Sequence, residues 1–421
     1  MKTIFRTFNK WLIVASILAV GAVAISAQDP CTDATGQSAL YDSFLAKFPD
    51  KTGNGRAGWL EIAKQFVEKY GKCESAATNS GYFNKNIPNW ETKLVEVRKA
   101  EKIAEIVGRF NTALNAKNWD GFYAAGKELL AEDPATFRDV ELAFGTIGYD
   151  EFYNKKNNKY TEDTIRYAKQ SISDLESGKT FSDKYGIPKD FVYKSKDNAI
   201  AWMNLIVGYL TQVDKKDKVT AAPFLYKSTL GPETKTNPLP YGLLGYYYAD
   251  LGDRLVDEIN VLRKARLDTD PPEVAKQKDD AIDAKVGLLN GTALRAVDAF
   301  ARAYSLAKDP TYKADMKKGI DFSYNRRFGN TTGVDAWVAN VMTKPMESPS
   351  TPITPVSDPE PAKTQAATTA PATTTTTVKP PVTTPVKPAT TQPATKPATK
   401  PATKPATTNK PAVAKTKKKG R

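Results

Sequence analysis

Apolar residues recur at spacings of three and four along most of this chain, from Asp33 to Lys344. That repeat marks one face of an α-helix, and the alternation typical of a half-buried strand is nearly absent. One stripe runs from Leu60 to Tyr70, and Gly71 follows it as a helix stop signal. The spacing therefore predicts an all-α body.

The stripes divide the body into short rods whose connections carry Gly, Pro, Asn and Asp, as helical hairpins require. We expect one domain, residues 28–344, of stacked antiparallel helical hairpins. The predicted helices cover residues 40–48, 60–70, 90–114, 119–130, 137–152, 164–175, 199–213, 221–230, 241–251, 255–267, 274–289, 293–307 and 312–324.

Residues 241–253 have an aromatic residue, then Leu and Gly, another aromatic residue and a Leu-Gly-Asp turn. This segment resembles the first helix of a tetratricopeptide repeat, and residues 118–134 resemble a second repeat helix with its terminal proline. The resemblance covers residues 100–325 with degenerate repeats. It implies an α-solenoid whose concave surface binds a protein or peptide.

The first 27 residues have the layout of a secretory signal peptide: a short basic start, an apolar run from Trp11 to Ile25, and Ser26-Ala27 before a polar segment. An uncleaved anchor is the alternative, but a run of about 15 residues is shorter than the roughly 20 that span a bilayer. We expect an exported protein, periplasmic, envelope-associated or secreted, that keeps no transmembrane helix after cleavage.

The chain has no histidine and two cysteines, Cys31 and Cys73. Ser-His-Asp and Cys-His catalysis are therefore excluded, as is a four-thiolate metal site within one chain. In an oxidising compartment an even pair of cysteines favours a disulfide, so we predict Cys31–Cys73, with two free thiols as the alternative. We expect no cofactor, no metal site and no catalytic residue.

A few segments allow other interpretations. Residues 50–61 resemble the calcium loop of an EF-hand, beginning with Asp50 and ending with Glu61, although a glycine-rich hairpin turn fits them better. Acidic pairs such as Asp279-Asp280, or Asp253 with Asp257, would be candidates for a glycan-active enzyme. Five aromatic residues would line a carbohydrate or peptide groove or else belong to the core: Trp202, Phe224, Tyr246, Tyr247 and Tyr248.

From Pro345 onwards the composition changes to Pro, Thr, Ala and Lys, which cannot form a core. Residues 345–421 carry 12 Lys and Arg against 3 Asp and Glu, whereas residues 28–344 are nearly neutral, with 46 basic and 44 acidic residues. We predict a disordered basic tail that contacts an anionic envelope polymer. A glycosylated linker without a fixed partner is the alternative, and export argues against nucleic acid.

Together these features favour an exported, non-enzymatic interaction scaffold. Its helical body binds a protein or peptide, and its tail contacts the polymer. Two alternatives remain: a polyanion-binding protein that acts mainly through the tail, or a glycan-active enzyme that uses paired carboxylates.

Overall fold

In the computed structural model the described residues are 29–187 and 191–357. They form α-helices and one short β-hairpin, which confirms the all-α class. The predicted signal peptide and the segment after residue 357 lie outside the described residues. Within the described part, no helix is both long enough and apolar enough to span a membrane. The chain divides into two compact units that meet in sequence between Pro134 and Ala135, where one domain was predicted.

From residue 29 onwards, where its description begins, the first unit contains four α-helices, each packed against the next in sequence. Polar side chains define where these helices begin: Asp33, Thr52 and Asn118 each accept a hydrogen bond from a backbone N–H in the first turn. The helices are α1 (Ala34–Lys47), α2 (Gly53–Tyr70), α3 (Ala77–Asn115) and α4 (Trp119–Glu132).

Aromatic rings fill the core between α1, α2 and α3. Four of these rings pack mainly edge to face, with ring centroids 4.8 to 6.3 Å apart: Phe44, Trp59, Phe83 and Trp90. Helix α3 begins at Ala77, well before the predicted start at residue 90. Pro88 lies inside the helix rather than before it. The burial of Phe83 and Trp90 on either side offsets the lost backbone hydrogen bond.

The second unit contains eight helices in the described residues, again packed as sequence neighbours. A two-stranded antiparallel hairpin, β1 (Gly186–Ile187) with β2 (Phe191–Val192), lies between α6 and α7 and was not predicted. The helices are α5 (Asp139–Lys155), α6 (Thr161–Glu176), α7 (Lys196–Val213), α8 (Lys218–Ser228), α9 (Pro238–Ala265), α10 (Pro272–Leu306), α11 (Pro310–Phe328) and α12 (Val334–Asn340).

Two predicted helix boundaries are wrong. The predicted turn at Gly252 lies inside α9, and the predicted break near residue 291 lies inside α10. A helix tolerates an interior glycine at a cost of about 1 kcal/mol, which the packing of these two long helices against each other can offset. Residues 241–253 are therefore not the helix and turn of a tetratricopeptide repeat.

The predicted start of the tail at residue 345 is also wrong. Residues 345–357 follow α12 without regular secondary structure, but several of them make hydrogen bonds to α10. The second unit therefore continues to at least residue 357. Pro and Ser make up seven of these thirteen residues, yet Met346, Ile353 and Val356 supply half-buried apolar side chains.

Candidate functional site

One face of α10 is occupied by residues from the end of the described chain. Four residues of α10 follow one another at spacings of four, four and seven and therefore lie on one face of the helix: Gly287, Gly291, Arg295 and Arg302. Together with Asn290 they form what we call the α10 groove. Residues 344–357, here called the strap, lie along it in the direction opposite to the helix.

Two glycines let the strap backbone come close to the helix. A Cβ on Gly291 would lie 2.3 Å from the carbonyl oxygen of Thr354, and one on Gly287 would lie 3.2 Å from the Cβ of Pro355. Any side chain at position 291 would therefore displace the strap. Close approach of this kind is the packing reason for a glycine inside a helix.

Arg295 supplies most of the polar contacts to the middle of the strap. Its guanidinium donates to the carbonyl oxygens of Thr351 and Pro352, at 2.8 and 2.9 Å, and to the Glu347 carboxylate at 2.8 Å. A longer bond of 3.3 Å reaches the Ser348 carbonyl. The side chain is only 10% exposed, so these hydrogen bonds satisfy the donors of a charge largely removed from water.

Further bonds fix both ends of the strap. The Val356 N–H donates to the Gly287 carbonyl at 2.9 Å, and the Asn290 amide donates to the Val356 carbonyl at 3.0 Å. At the other end Arg302 donates to the Lys344 carbonyl at 2.6 Å while it pairs with Asp298. Apart from Glu347, all these strap partners are main-chain atoms, so the groove binds the backbone of a non-helical segment.

A cavity of about 260 Å³ lies between α9, α10, α12 and the strap. Tyr248, Asp298, Trp337 and Met346 are among its lining residues. Burial raises the pKa of Tyr248 to about 12, and among the described residues nothing hydrogen-bonds its hydroxyl in good geometry. Burial also raises the pKa of Asp298, although the hydrogen bond from Arg302 opposes that shift.

The predicted cysteine pair lies in the first unit. The structure joins Cys31 to Cys73 by a disulfide, with 5.0 Å between the two Cα atoms. This bond ties the segment before α1 to the turn between α2 and α3. Nearby, Asp33 accepts hydrogen bonds from Tyr70 and Lys69, which with the Gly36 N–H lower the pKa of Asp33 to about 2.

The predicted calcium alternative does not fit the structure. Helix α2 begins at Gly53, so most of the twelve residues, including Glu61, belong to a regular helix rather than a loop around an ion. Asp50 instead accepts bonds from the backbone and hydroxyl of Thr52, and Glu61 accepts one from Gln65. In the described ranges no three Asp, Glu or Cys side chains gather as a metal site would require.

Three of the four acidic residues considered for glycan chemistry are paired with basic side chains. Asp279 pairs with Arg266 at 3.2 Å, Asp280 with Lys276 at 2.7 Å, and Asp253 with Arg326. Asp257 is exposed on α9.

The aromatic residues belong mainly to the core of the second unit. Tyr248 is buried, and Trp202, Phe224, Tyr246 and Tyr247 are half-buried against the core. Of these five, Tyr248 borders the cavity beneath the strap.

Sequence reasoning missed the α10 groove because its residues look ordinary one by one. Gly291 lies in the gap between the predicted helices 274–289 and 293–307, and residues 345–357 were predicted to belong to the tail. The useful signal was a pair of glycines four residues apart within an apolar helical stripe, which permits close backbone approach.

Comparisons with protein-family models, curated proteins and solved structures found no match.

Proposed function

We propose that the chain is an exported, non-enzymatic interaction scaffold whose helical body binds a non-helical segment of a protein or peptide in the α10 groove. The observation that supports this is the strap itself. The groove already holds such a segment through main-chain hydrogen bonds, so its chemistry suits a peptide ligand. The strap would then act as an internal competitor for the ligand.

The arrangement of donors and glycines supports a peptide over a small molecule. Arg295, Asn290 and Arg302 all direct N–H groups at carbonyl oxygens, and the glycines leave room for a backbone. An extended peptide offers carbonyls at regular intervals, whereas a small molecule would use few of these donors. Helices that pack against their sequence neighbours, as in the helical-repeat scaffolds that bind peptides, agree with this choice.

The test uses a chain that ends at Lys344, which removes the rest of the strap and leaves the groove vacant. We expect a labelled peptide of residues 347–357 to bind this variant, with weaker binding to wild type because the strap competes. Adding Arg295→Met should lower the affinity by about tenfold or more, since charge-assisted hydrogen bonds are lost. Fluorescence anisotropy measures both.

Arg263→Met is the matched control because Arg263 is an exposed arginine near the end of α9. It should leave the affinity unchanged. Circular dichroism of each variant checks that the helices persist. Failure of the vacated protein to bind the peptide, or equal affinity with and without Arg295, would contradict the proposal.

The charge of the tail supports the second half of the proposal, contact with an anionic envelope polymer. After residue 357 the sequence carries 12 Lys and Arg and 2 Asp and Glu. A chain that ends at Ser357 keeps the strap but loses this charge, so it should elute from heparin at lower salt than the full chain. Equal elution would remove the tail from the proposal and would also count against the alternative in which polyanion binding is the main activity.

A further inference from the structure

The strap contacts the two groove glycines through a short sequence, Thr354-Pro355-Val356. The Thr354 carbonyl lies against Gly291, Pro355 against Gly287, and Val356 makes two main-chain hydrogen bonds to the helix. The Val356 side chain is half-buried. The groove therefore contacts a proline, whose ring restricts the backbone, and a β-branched residue after it.

The tripeptide Thr-Pro-Val occurs twice in the chain, at residues 354–356 and again at residues 384–386. The similarity extends one position further, because β-branched Thr383 corresponds to β-branched Ile353. The other proline repeats of the tail, such as Thr395-Lys396-Pro397-Ala398, place alanine where the groove holds Val356. Alanine buries less apolar surface, so those repeats are weaker candidates.

We propose that the α10 groove of one copy binds residues 382–386 of a second copy. This inference rests on the proposed peptide-binding function and names its partner. The Val382 carbonyl would replace that of Pro352 at Arg295, and Val386 would make the two bonds that Val356 makes with Gly287 and Asn290. The bonds made by residues 352–356 all involve main-chain atoms of that segment, whereas the Glu347 carboxylate that accepts from Arg295 has no counterpart in residues 382–386.

Residues 382–386 of a second copy can bind the α10 groove only if they displace the strap. The strap is tethered directly to its groove, which corresponds to an effective concentration on the order of millimolar. The second segment of the same chain has a longer tether and offers no extra contacts, so it does not displace the strap. A neighbouring copy competes when the local concentration is similarly high, as it would be where many basic tails bind one polymer.

The test places a photo-crosslinking amino acid at Lys387, next to the second tripeptide, in the full-length protein. Unlabelled and nitrogen-15-labelled copies are mixed, so that mass spectrometry separates cross-links between copies from those within one chain. We expect cross-links between copies to map to α10 near Gly287, because Lys387 would lie where Ser357 follows Val356. They should increase as the protein concentration approaches about 1 mM, the tether's effective concentration.

Two matched variants complete the design. Replacing residues 384–386 by glycine, or introducing Gly291→Val, should abolish these cross-links, whereas the crosslinker moved to Lys415, 29 positions after the second tripeptide, should give none at α10. Cross-links only within one chain, or none at α10, would overturn the inference. The labelled-peptide experiment would then show whether the groove still binds peptide 347–357, so the two failures are distinguishable.

Discussion

A single buried carboxylic acid, Glu141 in the first turn of α5, makes the second unit sensitive to pH. Its side chain is 7% exposed, and one carboxylate oxygen has no hydrogen-bond partner within the described residues. Burial, and then the neighbouring Asp174 carboxylate, raise the pKa of Glu141 to about 7, although Arg138 and Lys179 oppose the shift. Asp174 itself is held by Arg138 at 3.0 Å and by Lys179 at 2.8 Å.

The sign of the pH effect follows from the raised pKa of Glu141. The folded state favours the protonated acid, so this stabilisation is fully present below the unfolded pKa of about 4.5 and is lost as pH rises through 7. We expect Glu141→Gln to remove that loss and to raise the free energy of unfolding at pH 8 by up to about 3 kcal/mol. Urea unfolding between pH 5 and pH 8 measures the difference.

Asp174→Asn serves as the comparison for Glu141→Gln. It removes the charge that Arg138 and Lys179 pair with, so we expect it to lower stability in the neutral range. If Glu141→Gln and wild type lost stability equally between pH 5 and pH 8, the assignment of this pH dependence to Glu141 would be wrong.

At the scale of the element, α10 shows how one helix combines structural and binding roles. One side packs against α9 and α11, while the α10 groove receives the strap. Gly291 allows this because a side chain there would meet the Thr354 carbonyl. Interior glycines lower the stability of the helix, but here they leave a surface that the backbone of the strap can approach closely.

We predict that Gly291→Val releases the strap from α10. Amide hydrogen exchange at Val356, whose N–H bonds to the Gly287 carbonyl, should accelerate by about tenfold or more when that bond is lost. Gly108→Ala is the matched control, since no heavy atom outside its own helix backbone and chain neighbours lies within 4 Å of a Cβ at that position. Unchanged exchange at Val356 in Gly291→Val would show that the glycine is not needed for strap binding.

At the scale of the whole molecule, the two compact units are stabilised in different ways. The first unit has an aromatic core and the Cys31–Cys73 disulfide, which closes a loop of 42 residues. The second has a larger, mainly aliphatic and aromatic core with no cysteine in its sequence. Cross-linking restricts the unfolded chain, and the gain grows with the length of the loop.

We predict that replacing both cysteines by serine lowers the free energy of unfolding of the first unit by about 4 kcal/mol. Tryptophan fluorescence during urea unfolding is a suitable measurement because Trp59 and Trp90 are buried in that core. Wild type under reducing conditions should shift to the midpoint of the variant, while the variant should not respond to the reductant. Identical midpoints for the oxidised wild type and the variant would contradict a stabilising disulfide.

The sequence by itself determined the helical class and many helix positions, because the three-and-four spacing of apolar residues is local information. The pairing of Cys31 with Cys73, which the structure contains, followed from a count of two. Local sequence signals gave wrong helix boundaries where tertiary packing determines the boundary. Pro88 and Gly252 signal helix breaks, yet both lie inside helices whose buried faces offset the loss of helix stability at those residues.

Only the tertiary structure decided that the second unit includes residues 345–357 and that they lie along α10. The strap has the composition of a tail, and its hydrogen bonds are to residues that lie up to 69 positions earlier in the chain. The α10 groove likewise depends on main-chain contacts between distant segments, which leave little trace in side-chain chemistry. Spacing along one helix is encoded locally, whereas the approach of one backbone to another is fixed only when the chain has folded.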